Sequence, residues 1–322
     1  MTMKPMAMRD ALLARIWQTM ESDRSLFFVS ADFGSPVLDR IRADFPDRFI
    51  NVGVAEQNLI NVSAGLSLEG FTVFAYAIAP FITMRCYEQL RVNLALLSRV
   101  RQMNVNLIGV GAGYSYVVSG PTHQCYEDLT VIRALPSFEV LSPADHVTAA
   151  ALLDRCLQRV GPKYLRFDAQ VLPVVYVDDS RPPPLDQGFA HHRKGAQVTL
   201  VATGFMLHTA FRVADRLAGA GIMVGVIDLF DITGFDRHAM ESALRDQAGI
   251  VTMEEGFRGR GGIDALFREF AAETMPWLRQ AAIGVEGGYR FELGTRAELH
   301  EQVGIGEAAV ARTVAEFVRS LS

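Results

Sequence analysis

The chain has 322 residues, half of them apolar, and a formal net charge of −5 at pH 7. A chain of this length buries enough apolar surface for two ordinary cores, so two domains are expected. Acidic and basic residues are interspersed without a block of lysine or arginine, which argues against nucleic acid or an anionic membrane surface as the main partner.

The N-terminal segment 1–20 predicts an amphipathic helix, because Leu13, Ile16, Trp17 and Met20 recur at helical spacing. The segment lacks the apolar core and cleavage site of a signal peptide. Charged, glycine and proline residues interrupt the apolar stretch 65–84, so no membrane span is predicted. The three cysteines have no metal-ligand spacing and predict buried, reduced thiols, as is typical of a cytoplasmic protein.

In the first half of the chain, short apolar runs alternate with segments of helical periodicity. This pattern predicts parallel βαβ units with helices on both faces of a sheet. The runs predicted as strands are Leu26–Ala31, Phe49–Val52, Phe71–Tyr76, Val105–Val110, Phe138–Leu141 and Tyr164–Phe167. A helix is predicted over Glu56–Leu68, directly after the second strand.

The alternation stops near three consecutive prolines, 182–184, which continue neither a helix nor a strand. We interpret 178–190 as a linker between a first domain, 1–177, and a second, 191–322. The second domain repeats the α/β pattern, and its strands are predicted at Gln197–Ala202, Met223–Asp228, Gly249–Glu254 and Ala281–Val285. His191 and His192 have no metal-ligand partners at suitable spacing and are predicted to be solvated. The fold class is therefore α/β, with two parallel-sheet domains.

Glu56 is the first candidate for chemistry. It stands just after a predicted strand, at the carboxyl edge of the sheet where open α/β folds bind ligands. A carboxyl group in apolar surroundings holds a proton more readily and can donate it in a hydrogen bond. The alternative is a glutamate that stabilises the first helical turn through the helix dipole.

The second candidate is the turn 120–124, Gly-Pro-Thr-His-Gln, which contains His123. A neutral imidazole both donates and accepts hydrogen bonds, which suits proton transfer on substrate hydroxyls. The alternative is a turn histidine that only caps a backbone carbonyl.

Taken together, the segment 53–60 around Glu56, the glycine-containing helix 64–66 and the turn 120–124 with its continuation Glu127-Asp128-Leu129 resemble the transketolase family. The similarity spans essentially the whole chain, which corresponds to the C-terminal half of a full-length transketolase. The resemblance implies a thiamine-diphosphate-binding pyrimidine domain followed by the transketolase C-terminal domain.

The resemblance also implies roles for individual residues. Glu56 matches the glutamate that bonds the aminopyrimidine N1′ of thiamine diphosphate. Phe81 is the first choice, and Tyr76 the second, for the aromatic ring against the pyrimidine. Asp32 matches a carboxylate near the thiazolium, and His123 matches the histidine that contacts oxygens of the ketose donor.

Three further residues, Arg9, Ser35 and Arg166, match positions that hold the phosphate end of a sugar. An arginine suits this role because its planar fork pairs with two phosphate oxygens. The implied reaction moves a two-carbon ketol unit from a ketose to an aldehyde, and the cofactor supplies the electron sink.

Two positions depart from the family pattern. Gly111 stands where sugar-phosphate transketolases carry a phosphate-binding histidine, and Ser119 stands where they carry an aspartate that contacts an acceptor hydroxyl. We keep Ser119 as a substrate-binding candidate. Tyr114 and Tyr116 are expected to line a less charged pocket, which predicts an acceptor other than the usual pentose phosphate.

The Gly-Asp-Gly segment by which relatives hold the metal and diphosphate occurs nowhere in the sequence. Diphosphate without a metal or basic groups would be poorly neutralised. The resemblance therefore implies an N-terminal partner subunit that holds Mg²⁺ or Ca²⁺ with the diphosphate, in an α2β2 assembly.

Three alternatives remain open. The β-subunit of the first component of a 2-oxo acid dehydrogenase shares the architecture and a similar glutamate, but not the turn 120–124. Deoxyxylulose-phosphate synthases share Thr122, His123 and Gln124, but come as one long chain. A non-catalytic subunit that only stabilises a partner would not need Glu56 and His123 together.

Overall fold

The computed structural model describes residues 4–177 and 182–321. Two sheets lie in these residues. The first has six strands, all parallel, in the order β2-β1-β3-β4-β6-β5. Its strands are β1 (Leu26–Ser30), β2 (Phe49–Asn51), β3 (Thr72–Ile78), β4 (Asn104–Val110), β5 (Glu139–Leu141) and β6 (Lys163–Phe167). Each of the six predicted strands overlaps one of them, and the α/β fold class is confirmed.

The second sheet has five strands in the order β11-β10-β8-β9-β7. They are β7 (Phe189–Arg193), β8 (Val198–Ala202), β9 (Val224–Leu229), β10 (Gly249–Phe257) and β11 (Arg279–Val285). Strand β7 pairs antiparallel with β9 and the other pairs are parallel. The prediction that His191 and His192 are solvated is wrong, because both lie half-buried in β7 and the His192 ring packs 5.3 Å from Phe211.

Helices cover the two sheets in the described part of the chain. The α-helices are α1 (Met8–Ser22), α2 (Pro36–Asp44), α3 (Glu56–Leu68), α4 (Tyr87–Gln89), α5 (Asp128–Arg133), α6 (His146–Gln158), α7 (Met206–Ala218), α8 (Arg237–Leu244), α9 (Ile263–Thr274), α10 (Arg296–Gln302) and α11 (Glu307–Arg319). Two π-helical turns, Phe81–Arg85 and Leu90–Leu96, flank α4. Of the described residues, no helix is long and apolar enough to cross a membrane.

Strand β3 shows how the sheet separates two cores. Val73, Ala75 and Ala77 pack with the apolar side of α3, whereas Phe74 and Tyr76 pack with α1 on the opposite face. This alternation follows from the two-residue period of a strand. Glu56, at the start of α3, therefore lies on the first of these faces.

The two sheets are connected directly. The amide of Ile232 donates to Val140 O at 2.8 Å, and the amide of Ser142 donates to Phe230 O at 2.7 Å. Residues from the second half of the chain therefore extend the first sheet beyond its edge strand β5. Of the predicted linker, residues 178–181 lie outside the described chain, and β7 begins at Phe189 within it.

A group of buried charged side chains also joins the two halves of the chain. Asp168, just after β6, accepts from Arg296 Nη2 at 2.7 Å, and Arg296 Nε donates to Oε1 of Glu255 at 2.8 Å. His300 contacts the same carboxylate. Burial acts to raise the pKa of Glu255, but Arg296 and His300 outweigh it and hold that pKa well below its usual range. Removing one partner would leave an uncompensated buried charge, so the group fixes α10 against β6 and β10.

The buried carboxyl group of Asp228 is expected to make the stability of the fold depend on pH. It is fully buried in β9, and its Oδ2 accepts from the Tyr176 hydroxyl at 2.9 Å. Burial raises the pKa of Asp228 to about 8 from its usual 3.8, and nearby Asp145 adds to the shift. The folded state therefore binds a proton that the unfolded state has lost, and this contribution to stability falls as pH rises from about 4 to about 8.

We expect Asp228→Asn to remove up to about 1.4 kcal/mol per pH unit from the pH slope of the unfolding free energy in that window. Denaturant unfolding at a series of pH values measures this slope. Asp246→Asn, at an exposed position, is the matched control. Equal slopes for wild type and Asp228→Asn would show that this carboxyl group does not titrate as described.

Candidate active site

Glu56 begins α3 at the carboxyl edge of the first sheet, as the sequence predicts. Its side chain is 2% exposed, and its Oε2 accepts a hydrogen bond from Arg85 Nη1 at 2.7 Å. No hydrogen bond to its second oxygen, Oε1, occurs among the described residues. Its surroundings are not purely apolar, because the Arg85 guanidinium pairs with this carboxylate at the start of α3. The free oxygen can bond a ligand.

Arg85 was missed at the sequence level. The π-helical turn that begins at Phe81 ends at Arg85, and the Arg85 Cζ lies 4.3 Å from the centroid of the Phe81 ring. Ordinary helical periodicity does not predict this overlap, because a π-helical turn adds a residue to the repeat. The signal present in the sequence was Arg85 itself, a single cationic residue in an apolar segment that follows the carboxyl edge of the sheet.

His123 meets the same group from another loop. Its ring lies 5.3 Å from the Phe81 ring, edge to face at 73°, and its Nδ1 is 3.0 Å from Thr122 Oγ1. The His123 amide donates to Gly120 O at 3.1 Å, and Gly120 adopts a φ of 70° that favours glycine. The structure thus brings together three predicted residues from separate segments: Glu56, Phe81 and His123.

Tyr76 lies on the other face of β3 and is fully buried between the rings of Phe28 and Phe33, at centroid distances of 6.2 and 5.6 Å. It is therefore placed away from Glu56. Phe81 is half-buried beside Arg85, which pairs with Glu56. Of the two aromatic candidates, the geometry favours Phe81 for contact with a planar heterocycle.

The loop after β1 holds two more candidates. Asp32 has a φ of 55°, rare for a residue with a side chain, and its Oδ1 accepts from Asn51 Nδ2 at 2.9 Å. Strained backbone of this kind is concentrated at functional sites. Ser35 is buried and caps α2, because its Oγ accepts from the Leu38 amide at 3.2 Å.

The two arginine candidates differ in accessibility. Arg9 is partly exposed and donates to Asp10 Oδ1 at 2.8 Å, with the Tyr76 hydroxyl nearby. Arg166 is buried, and its Nε donates to Asp128 Oδ2 at 2.7 Å. The geometry does not favour the phosphate role expected of Arg166, because its guanidinium is committed to a core ion pair.

The positions that depart from the family pattern lie in the loop after β4. Ser119 is exposed at the start of the turn 120–124. The Tyr116 ring lies 6.4 Å from the His123 ring and covers Gly111, where a built Cβ would be 2.5 Å from Tyr116 Cδ2. Tyr114 does not line an open pocket as expected, because it is fully buried 4.8 Å from the Tyr126 ring.

The chemistry of these groups fits the pyrimidine half of thiamine diphosphate. Glu56 offers a free carboxylate oxygen, Phe81 a ring face and His123 a polar group beside it. Among residues 4–177 and 182–321, no cluster of His, Cys, Asp or Glu could hold a metal ion. The cavity of about 690 Å³ beside Phe257 and Tyr289 does not include these residues, so the site is assigned from side-chain chemistry rather than cavity size.

Two family models match the chain. The transketolase pyrimidine-binding domain matches residues 4–174, and the transketolase C-terminal domain matches residues 189–310. The chain therefore belongs to the transketolase family, and it comprises the half that carries these two domains.

Individual relatives are consistent with this assignment. The chain is 32% identical to one of the subunits of the apulose-4-phosphate transketolase of Actinobacillus succinogenes, over 81% of this chain and 82% of that protein. It is 28% identical to the 6-deoxy-6-sulfo-D-fructose transketolase subunit SqwH of Clostridium sp. (strain MSTE9), over 96% of this chain and 94% of that protein. A solved split-gene transketolase, described as an inactive beta4 tetramer, superposes with a TM-score of 0.82 at 28% identity, covering 97% of this chain and 98% of that one.

Proposed function

We propose that the chain is the C-terminal subunit of a two-component, thiamine-diphosphate-dependent transketolase. It moves a two-carbon ketol unit from a ketose to an aldehyde acceptor other than the usual pentose phosphate. The observation that carries the proposal is the convergence of Glu56, Phe81 and His123 at one end of the first sheet. The names of two relatives, which specify apulose 4-phosphate and a sulfofructose, support an unusual sugar.

Thiamine diphosphate, when bound, supplies the electron sink for cleavage beside the ketose carbonyl. Glu56 holds or gives a proton at N1′ of the aminopyrimidine through its free Oε1, while Arg85 fixes the other oxygen. Phe81 orients the ring by contact with its face. His123 donates to or accepts from substrate oxygens, held by Thr122.

Substrate contacts complete the proposed site. Asp32 faces the thiazolium side, held by Asn51. The family match assigns Arg9 and Ser35 to the end of the pocket distant from the cofactor, and exposed Ser119 is kept as an acceptor contact. These roles rest on the family match together with the positions of the side chains.

A partner subunit completes the enzyme in this proposal. It supplies the diphosphate site with Mg²⁺ or Ca²⁺, in an α2β2 heterotetramer with the active sites between the two chain types. Support comes from the lack of a Gly-Asp-Gly segment in the sequence, from relatives named as subunits, and from the inactive tetramer of a related β-chain alone. The three cysteines are buried and unpaired, which suits a cytoplasmic enzyme.

Reconstitution with the partner tests the reaction class. We expect the assembled pair to form, from a ketose donor and glycolaldehyde, a product two carbons longer than the acceptor, detected by mass spectrometry. We expect no release of carbon dioxide from pyruvate, because it lacks the hydroxyl group that His123 would contact. Decarboxylation without ketol transfer would favour the 2-oxo acid dehydrogenase alternative, and neither reaction would favour a purely structural subunit.

A further inference from the structure

Tyr116 lies beside His123 at the candidate site. The Tyr116 ring contacts the His123 ring edge to face at 6.4 Å and 81°. The positive charge of Arg9 acts on the Tyr116 hydroxyl. Tyr116 therefore contacts His123 and also feels the charge of Arg9.

The Tyr76 hydroxyl is buried beside Arg9, on the α1 side of β3. Burial raises the pKa of both Tyr76 and Tyr116 above the usual value, so each phenol stays neutral near pH 7. The Tyr116 hydroxyl, on a half-buried side chain, can donate to, and accept from, a sugar hydroxyl.

Arg9, and the arginines elsewhere in the candidate site and in the core beside it, are already paired with carboxylates. Arg9 pairs with Asp10, Arg85 with Glu56, Arg166 with Asp128, and Arg296 with Asp168 and Glu255. A phosphate dianion is held best by cations whose charge is not already balanced. The Tyr116 ring also fills the space above Gly111, so position 111 has no room for a further cationic side chain while that ring is present.

We infer that Tyr116 determines the substrate class, and that the pocket takes an unphosphorylated polyhydroxy chain ending in a hydroxyl group. This inference rests on the proposed ketol-transfer function. Tyr116, which is half-buried, bonds a hydroxyl group of the chain, and Arg9, balanced by Asp10, contributes a hydrogen-bond donor rather than a net charge.

The test uses the reconstituted pair with ribose, ribose 5-phosphate and glycolaldehyde as acceptors. The wild-type kcat/KM for ribose should equal or exceed that for ribose 5-phosphate. A preference for ribose 5-phosphate of tenfold or more would overturn the inference. Glycolaldehyde separates the two proposals, since it is too short to reach Tyr116: no transfer to any acceptor would contradict the proposed function instead.

Three variants test whether Tyr116 sets the preference between ribose and ribose 5-phosphate. Tyr116→Lys adds an unpaired cation and should raise the ratio of kcat/KM for ribose 5-phosphate over ribose by about tenfold to a hundredfold, mainly through KM. It should also make inorganic phosphate a competitive inhibitor. Tyr289→Lys adds the same charge at an exposed site of the C-terminal domain and should leave the ratio unchanged.

Tyr116→Leu removes the hydroxyl without adding charge, and it keeps the test valid if Tyr116→Lys fails to fold. It should raise the KM for ribose by about threefold to tenfold with little change in the KM for glycolaldehyde. Unchanged KM values for ribose in Tyr116→Leu, or an unchanged acceptor ratio in folded Tyr116→Lys, would show that Tyr116 does not determine the substrate class.

Discussion

Glu56→Gln in the assembled two-subunit enzyme is expected to reduce kcat for ketol transfer by about 10²- to 10⁴-fold, the range for loss of a general acid or base. Glutamine keeps the size and the hydrogen bonding of the side chain but cannot hold or release a proton. Arg85 of the same chain, which donates to Glu56, can donate to an amide oxygen as well as to a carboxylate, so the fold of α3 is retained. Steady-state product formation at saturating cofactor measures the change.

Glu69→Gln is the matched control, because Glu69 is the exposed C-cap of the same helix and lies at its far end. It should leave kcat within a factor of about two. A Glu56→Gln enzyme with the activity of the control would mean that Glu56 only stabilises the first turn of α3. That result would remove the catalytic assignment.

The isolated chain is expected to bind no detectable thiamine diphosphate, whereas the mixture with the N-terminal partner binds it tightly. The reason is electrostatic, since two phosphates need a metal ion or a basic site for neutralisation. Isothermal titration calorimetry with Mg²⁺ compares the chain, the partner and the mixture. Micromolar binding by the chain alone would contradict the split site.

The regular parts of the fold were predictable because burial dominates them. Each predicted strand of the first domain overlaps an observed one, and α3 spans Glu56–Leu68 as predicted. Strands buried on both faces read as apolar runs, which is the strongest signal in a sequence. Glu56 and His123 could be chosen because their motifs occur in order along the chain.

Strand β7 escaped prediction because it is an edge strand. Its sequence, with His191, His192 and Arg193, is polar, and the half-buried His192 packs against Tyr176 and Phe211 of other segments. Edge strands are decided by such tertiary contacts more than by local propensity.

The side-chain pairings of the site were not predictable for a related reason. Whether Arg166 holds a phosphate or a carboxylate depends on Asp128, which is distant in sequence. Arg85 meets Glu56 only because a π-helical turn rotates it there. Tyr76 and Phe81 are close in sequence, yet the alternation of β3 places Tyr76 on the opposite face of the sheet from Glu56.

The most direct test of the account is the exchange of the thiazolium C2 proton of bound thiamine diphosphate with deuterium, followed by NMR in the assembled pair. We expect fast exchange in the wild type and in Glu69→Gln, and exchange slowed by about 10²-fold or more in Glu56→Gln. Exchange at the wild-type rate in Glu56→Gln would show that the proton held by this side chain does not take part in the reaction.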